Sequence, residues 1–569
     1  MKSHKCLRLA VFVVTFLTIS TCAFADEAEE RVFCNAKIFT AEPERPYAEA
    51  VAIRNGKIIA VGNCEEVKKA AGKQAEFVDL HGQSLLPGFV DSHSHSVSGG
   101  VSLIFADVSD KVQSMEDLVA SVAEARKSGK GMRGDILSIT GMPLAFWSKT
   151  DELNAHFSSG AYAEIPVYLS GSDYHTGWAN RALLRRVGIT KDFIQHLLAT
   201  ERQYYGLGTD FEPNGFVVDA GKRKIEESLP APTKEQLLEA GRAAIQYNHS
   251  LGITSWLDPL VDEPTLETYR QLSKRGELTA HVVAFPQVFA RKPAEELANV
   301  QKLREQFKNV RNLAVSGVKN FADGVVEFPS QTAAMSKPYR NSGTSGELLF
   351  DPARFAELVI AADKQGLIVH VHALGDRAVK ESLNGIEAAR KANGNRGLPH
   401  TLTHVQFADP QDFPRFRELG VIAALQLLWA SAEPDTIELI KPHLDPALYQ
   451  WQYPARSLLD NGAIISGASD WPVTSANVFL AIYQAETRKG PEGVLDASQR
   501  VPREAMLYAY TRNSARAMNE QDIIGSIAPG KQADLVLLDR DVLTVPAEEL
   551  KDTKVIWTMA GGKTVYHSN

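Results

Sequence analysis

The sequence predicts an α/β protein, with a parallel sheet and crossover helices through its middle and a small β domain shared between its two ends. Three observations lead there. Helix-like and strand-like patterns alternate through the central chain as far as Asp470, a rhythm that calls for a parallel sheet, open or closed. Residues 31–86 and 534–566 instead carry short apolar runs separated by turns, so the two ends pair most simply into one sheet domain. And 569 residues exceed what one core of ordinary size holds.

The first 25 residues read as a secretion leader. Lys2, Lys5 and Arg8 give a basic start, residues 9–19 are almost unbroken apolar, and Ala23-Phe24-Ala25 supplies a small-x-small cleavage pattern. Export to the periplasm or the medium is the expectation, with a mature start at Asp26. The apolar run is too short to span a bilayer comfortably, so no stable membrane span is expected after cleavage. Lipidation at Cys22 is the alternative, and Ser20-Thr21 before it fits that poorly. Of four cysteines, Cys6 and Cys22 leave with the leader; Cys34 and Cys64 either pair in an oxidising compartment or stand as two buried thiols.

The first β part is expected at 26–86. Val32-Phe33, Val51-Ala52-Ile53, residues 58–61 and Phe77-Val78 are its strand candidates, and Asn55-Gly56 is a two-residue hairpin signal. Its counterpart at 516–569 has β-rich stretches at 534–538, 554–559 and 564–566, with Pro529-Gly530 and Gly561-Gly562 as turns. Between them, 87–515 forms the large domain. Asp351-Pro352 opens a helix as N-cap and first-turn proline, Gly366 stops it, and 367–372 is strand-like; Asp409-Pro410 and Gly420 frame the next helix before 421–425. Ten strand candidates arise, near Val90, Ile136, Val167, Thr254, Val283, Val315, Val369, Leu402, Ile422 and Ile464. An eight-stranded barrel requires one of the Ile136/Val167 pair and one of the Val283/Val315 pair to be irregular, with an insertion in about 110–230.

Composition narrows the function. Hydrophobic residues at 44% and charged residues at 23% exclude a disordered chain and a multispanning membrane protein, and a net charge of −8 argues against nucleic acid as a partner. A small-molecule substrate is expected; oligomeric state is open, a homo-oligomer included.

The chemistry begins at Leu86-Pro87-Gly88-Phe89-Val90-Asp91-Ser92-His93-Ser94-His95. Residues two apart on a strand share a face, so both imidazoles project into one space, and imidazole is a preferred ligand for zinc and similar metals. A lone His-x-His arises by chance, and any single histidine is more simply a satisfied core residue. Here, however, Val369-His370-Val371-His372, Leu402-Thr403-His404 and Ala468-Ser469-Asp470 each end a later strand candidate. In an α/β barrel such ends converge. His370 and His372 share a face; His372, nearer the mouth, is the preferred ligand. Lys319, in a β-like segment, is expensive to bury as an ammonium and is read as salt-bridged to a carboxylate such as Asp323, as a carbamate, or as snorkelling from a strand end.

His93-Ser94-His95, the stretch from Val318 to Gly324 around Lys319, His372-Ala373-Leu374-Gly375-Asp376-Arg377, Thr403-His404 and Ser469-Asp470-Trp471-Pro472 together resemble the amidohydrolase superfamily, and within it the YtcJ-like, amidohydrolase family 3 branch. The stretch from Gly525 to Leu535 is similar to that family's return to its β-sandwich, and Ser172-Asp173-Tyr174-His175 with Asn180 looks like a family segment near the substrate. The resemblance runs from about residue 31 to the end, with its motifs in family order. It implies a distorted (β/α)8 TIM barrel with a discontinuous β-sandwich, and His93, His95, His372, His404 and Asp470 as metal ligands or catalytic groups. Lys319 matches a bridging position that carboxylation would complete, so two metals need the carbamate and one does not. Tyr174 stands where relatives more often carry glycine. His175 and Asn180 are the implied substrate-binding residues.

The expected activity is metal-dependent hydrolysis of an amide-type, non-peptide C–N bond with one or two divalent ions, zinc first. Asp470 would act as general base, and the metal, His175 or His404 would polarise the carbonyl. Asp376 and Arg377 are expected to anchor their loop. The alternatives are a lactonase, esterase or phosphotriesterase on the same barrel, and an exported binding protein without turnover.

Overall fold

The computed structural model describes residues 30–109 and 111–568; the expected leader, and Cys22 with it, lies outside them. Strands from both chain ends stand together. Glu30–Cys34, Ala50–Arg54, Lys57–Gly62 and Glu76–Asp79 form one four-stranded sheet. The second sheet, six-stranded, interleaves Lys37–Phe39, Tyr47–Ala48 and Ser84–Pro87 with Leu535–Leu538, Val555–Ala560 and Lys563–His567. Phe33, Val51 and Ile53 from the first sheet share one apolar cluster with Leu85, Leu535, Leu537 and Met559 from the second. Gly56 turns at φ 75°, and a Cβ there would stand 2.6 Å from the carbonyl oxygen of Gly561, so glycine is required where the two termini meet. Cys34 and Cys64 are disulfide-bonded, which decides between the two readings of that pair.

Two parallel sheets occupy the middle. Phe89–Asp91, Ile253–Val261, His281–Pro286 and Leu313–Val315 form one; Gly317–Phe321, Ile368–Ala373, Thr401–His404, Ile422–Leu425 and Ile464–Gly467 form the other. Their strands are buried on both faces, as near-continuous apolar runs such as Ile-Val-His-Val-His-Ala demand, and helices such as Pro352–Lys364 and Asp376–Asn393 cover them. Backbone contacts also link the sheets. Gln287 bridges Lys319 on one side. On the other, the Ser92 N–H donates to Gly467 (3.0 Å), the Asp470 N–H to His93 (2.8 Å) and the His95 N–H to Trp471 (2.8 Å).

The strand count closes differently from expectation. Ile136–Met142 and Val167–Gly171 both belong to a separate six-stranded sheet spanning residues 132–218. Val167–Gly171 turns straight back into Thr176–Ala179 as an antiparallel pair, with no crossover helix to return it to a parallel sheet. The strands near Val283 and Val315 both pair within a parallel sheet. Ten candidates less two leave eight, with Leu313–Val315 and Gly317–Phe321 as one run broken at Ser316. Among the described residues, no helix is long and apolar enough to cross a membrane.

Candidate active site

A cavity of about 1100 Å³ opens at the C-terminal ends of the parallel strands, and His93, His95, His175, Lys319, His372, His404 and Asp470 all line it. The loops that carry them turn sharply. His404 (φ 77°) and Asp470 (φ 58°) both take left-handed backbone that a residue with a side chain rarely adopts. Asp91 holds the first and last of these loops together: its carboxylate accepts from the His93 N–H (3.1 Å), the Ser469 N–H (3.1 Å) and the Ser469 hydroxyl (2.5 Å). Burial pushes Asp91 up to about 7, and these donors pull against it.

At the centre, Asp470 Oδ1 lies 3.1 Å from His93 Nε2 and 3.2 Å from His95 Nε2. His95 Nδ1 faces the Pro259 carbonyl at 3.0 Å, which can only accept, so the proton sits on Nδ1 and a lone pair on Nε2 in the neutral ring. His404 Nδ1 donates in the same way to Gln426 Oε1 (3.0 Å), an amide oriented by its Nε2 donating (3.2 Å) to the Thr403 hydroxyl, which itself donates to the Ala424 carbonyl (3.3 Å). Behind His93, Nδ1 meets His370 Nε2 at 2.6 Å, and His370 Nδ1 meets the Thr401 hydroxyl at 2.5 Å. Each metal-facing ring is thus oriented through its other nitrogen. Burial holds His93, His372 and His404 well below the ordinary imidazole range, which keeps them in the neutral form that binds metals.

The arrangement fits a divalent metal ion. His93, His404 and Asp470 bring one ligand atom each within 4.8 Å of one another. Asp470 Oδ1 is buried and has no hydrogen-bond partner, although the Nε2 lone pair of neutral His95 faces it and His93 Nε2 stands 3.1 Å away. A lone pair set against a bare carboxylate oxygen repels it unless a cation lies between them. Lys319 is buried on the same wall, its Nζ 4.8 Å over the Phe321 ring, and burial lowers it to about 7 against the pull of Asp470. His372 lines the cavity beside His404 (ring centroids 4.6 Å), with Nε2 3.1 Å from the Gly324 carbonyl. Asp323 stands 3.8 Å from His372 Nε2, yet its carboxylate chiefly accepts from the N–H groups of Ala334, Leu374 and Gly375, so it shapes the loop and forms no salt bridge to Lys319.

His175 enters from the inserted sheet. Its Nδ1 contacts Asp219 Oδ1 at 2.7 Å, and its ring lies 5.3 Å from that of His372. Burial alone would lower His175; the hydrogen bond and charge of Asp219 outweigh it and raise the group above the ordinary range. Asn180 corrects the reading of the sequence. It is fully buried away from the cavity, caps the helix Arg181–Val187, accepts from the N–H groups of Val167 and Leu183, and donates to the carbonyls of Phe157, Tyr162 and Ile165. An amide so fully used has nothing left for a substrate. Asp376 accepts from the Ser336 N–H (2.8 Å) and hydroxyl, tying down the loop after His372. Asp219 and Gln426 have no local sequence signal, and the depth of His370 in its strand suggests packing or support without naming His93 as its partner, because these partners lie 22 to 277 residues away. Asp91, two residues before His93 in the motif, was within reach of inspection.

The model of the amidohydrolase family matches residues 76–566. The chain belongs to the amidohydrolase family. Among curated relatives, it is 28% identical over 553 residues to Protein LONG AFTER FAR-RED 3 of Arabidopsis thaliana, covering 94% of this chain and 91% of that one. It is 25% identical to YtcJ of Bacillus subtilis (94% and 98% covered) and 24% identical to the N-substituted formamide deformylase of Arthrobacter pascens (95% and 99%). Among solved structures, a metal-dependent hydrolase from Pyrococcus horikoshii superposes with a TM-score of 0.70 at 25% identity, covering 91% of this chain and 99% of that one. The chain is therefore a metal-dependent hydrolase, with the mixed α/β fold of amidohydrolases.

Proposed function

We propose that the chain is an exported zinc amidohydrolase that cleaves an amide-type, non-peptide C–N bond in a small molecule, with Asp470 as general base. The observation that carries the reading is Asp470 Oδ1, buried without a hydrogen bond and 3.1 and 3.2 Å from two histidine Nε2 atoms. The eight parallel strands are read as one (β/α)8 barrel, closed by the bonds between the 92–95 and 467–471 segments, and the two terminal sheets as its β-sandwich. The domain divisions near 86, 110–230 and 515 follow from that reading. Relatedness to a deformylase of N-substituted formamides supports the C–N bond. The Cys34–Cys64 disulfide supports export, since such pairs persist in oxidising compartments.

His93, His95, His404 and Asp470 would hold the ion, with His372 and Lys319 completing the shell and a carboxylated Lys319 bridging to a second ion. A zinc ion so bound supplies Lewis acidity, polarising the scissile carbonyl and making water more acidic. Asp470 takes the proton of the attacking water and passes it to the leaving nitrogen. His175, oriented by Asp219, presents Nε2 to the cavity, where it hydrogen-bonds the substrate oxygen as negative charge develops there. Gln426, His370 and the Pro259 carbonyl keep their imidazoles from rotating as the proton moves.

The test is metal analysis and a substrate panel on the mature protein. Release of amine from N-substituted formamides or related amides, lost in Asp470→Asn, supports the proposal. Turnover confined to lactones, esters or phosphotriesters overturns the bond assignment, and no turnover with any class overturns the enzyme reading of this site. About two metals in the native protein falling to one or none in Lys319→Ala supports the bridge; one metal in the native protein, kept in the variant, sinks it. Amino-terminal sequencing that does not begin at Asp26 overturns the cleavage assignment.

A further inference from the structure

Past His175 the cavity wall turns acidic. Asp173, Glu327, Glu433 and Asp435 all line it, and among the described residues none of the four pairs with a lysine or arginine. The cavity's cations are committed or remote: Lys222 is ion-paired with Glu226 (2.5 Å), Lys319 lies over Phe321, and Arg223 and Arg291 are exposed to solvent. Burial, with Asp435 and Asp173 as neighbours, pushes Glu327 up to about 7 against a hydrogen bond from Gln406. Asp435 is more open to solvent, which tempers by screening the same push from Asp173 and Glu433.

Gln406 is the independent sign of a ligand. It is 1% exposed, lines the same cavity, and its Nε2 donates to Glu327 Oε1 at 2.9 Å. Ionised Glu327 only accepts, which sets the amide with Nε2 toward it, and the buried Oε1 has no hydrogen-bond partner. A buried acceptor without a donor, set beside uncompensated carboxylates, asks for N–H groups carrying positive charge. The four carboxylates are also spread too widely to cage a metal: among the described residues, His93, His404 and Asp470 form the group whose ligand atoms approach within 4.8 Å.

We propose that this wall selects substrates bearing an organic ammonium or guanidinium group, which hydrogen-bonds Glu327 and Gln406 Oε1 while Asp173, Glu433 and Asp435 add negative charge around it and the scissile amide faces Asp470. The inference rests on the amide-hydrolase reading and deepens it to a cationic substrate class. Charge-assisted hydrogen bonds to a partly dehydrated cation are expected to favour it about tenfold or more over a neutral isostere.

The probes are N-(4-aminobutyl)formamide and N-pentylformamide, equal in length and differing in charge. Their binding is measured by isothermal titration to the metal-loaded Asp470→Asn protein, where turnover does not interfere. Preference for the cationic probe of about tenfold or more, falling to about one when Glu327→Gln and Asp435→Asn are added, supports the proposal. Gln406→Met alone should shrink the same ratio, so the outcome does not hang on one variant folding. Equal affinities in the parent, or a preference unchanged in both variants, overturns it. So does displacement of the cationic probe by calcium at equal concentration, which would assign the wall to a metal. Cation-selective binding without hydrolysis of any panel amide by the native enzyme would leave the amidase reading failing alone.

Discussion

His370 Nε2 lies 2.6 Å from His93 Nδ1, behind the metal-facing ring and out of the cavity. It is fully buried, and with the Thr401 hydroxyl on its other nitrogen it completes a chain that holds the orientation of the His93 ring. Replacing a partner of this kind weakens metal affinity about 10- to 100-fold. His370→Phe is accordingly expected to fold, to lose metal to a chelator at correspondingly lower concentration, and to regain activity at excess metal. Competition with a graded series of chelators checks it; unchanged affinity would make His370 packing alone.

Asp219 plays the same part for His175, from 44 residues away and from strained backbone at φ 45°. Removing the acceptor frees the ring to rotate. Asp219→Ala should lower kcat about 10- to 100-fold with a smaller change in KM, the range ordinary for losing the partner that orients a functional imidazole. Asp219→Asn, which still accepts from Nδ1, should recover part of that. Nitrogen NMR of histidine-labelled protein should show His175 losing its single tautomer in the alanine variant and keeping it in asparagine.

Asn180 should behave oppositely. Its truncation leaves buried N–H and carbonyl groups of Val167, Phe157 and Ile165 without partners, at about 2 kcal/mol or more in stability. Asn180→Ala is expected to lower the unfolding midpoint and leave KM unchanged. A raised KM with an unchanged midpoint would restore the substrate-binding role.

Far from the metal centre, His249 is 2% exposed, with its nitrogens on the Ile253 carbonyl and the Thr279 hydroxyl, and burial lowers it to about 4. Its folded value lies below its unfolded one, so between about pH 6.5 and 4 the unfolded chain takes up the proton that the folded chain refuses. Its contribution is present above about pH 6.5 and is lost as pH falls through that window, by on the order of 3 kcal/mol when complete. Urea unfolding across this range should show a shallower pH slope in His249→Gln; an identical slope would locate the acid sensitivity elsewhere.

How much was legible follows from how far each signal reaches. Local periodicity and turn chemistry carry element type and facing, so the parallel centre, the β-rich ends and the donors at successive strand ends could all be read in order from His93 to Asp470. The sequence alone determined which chemistry was on offer: neutral nitrogen donors, one carboxylate and a lysine in a β-like run. Which groups meet is a matter of contacts hundreds of residues apart, and those only the tertiary structure decided. His93 turned out to be the partner of His370; an antiparallel turn drew the Ile136 and Val167 strands into their own sheet; a helix cap took Asn180 out of the cavity. The pairing of Cys34 with Cys64, and of His175 with Asp219, came the same way. A side chain's face is a local property, but the atom waiting opposite it is a property of the whole fold.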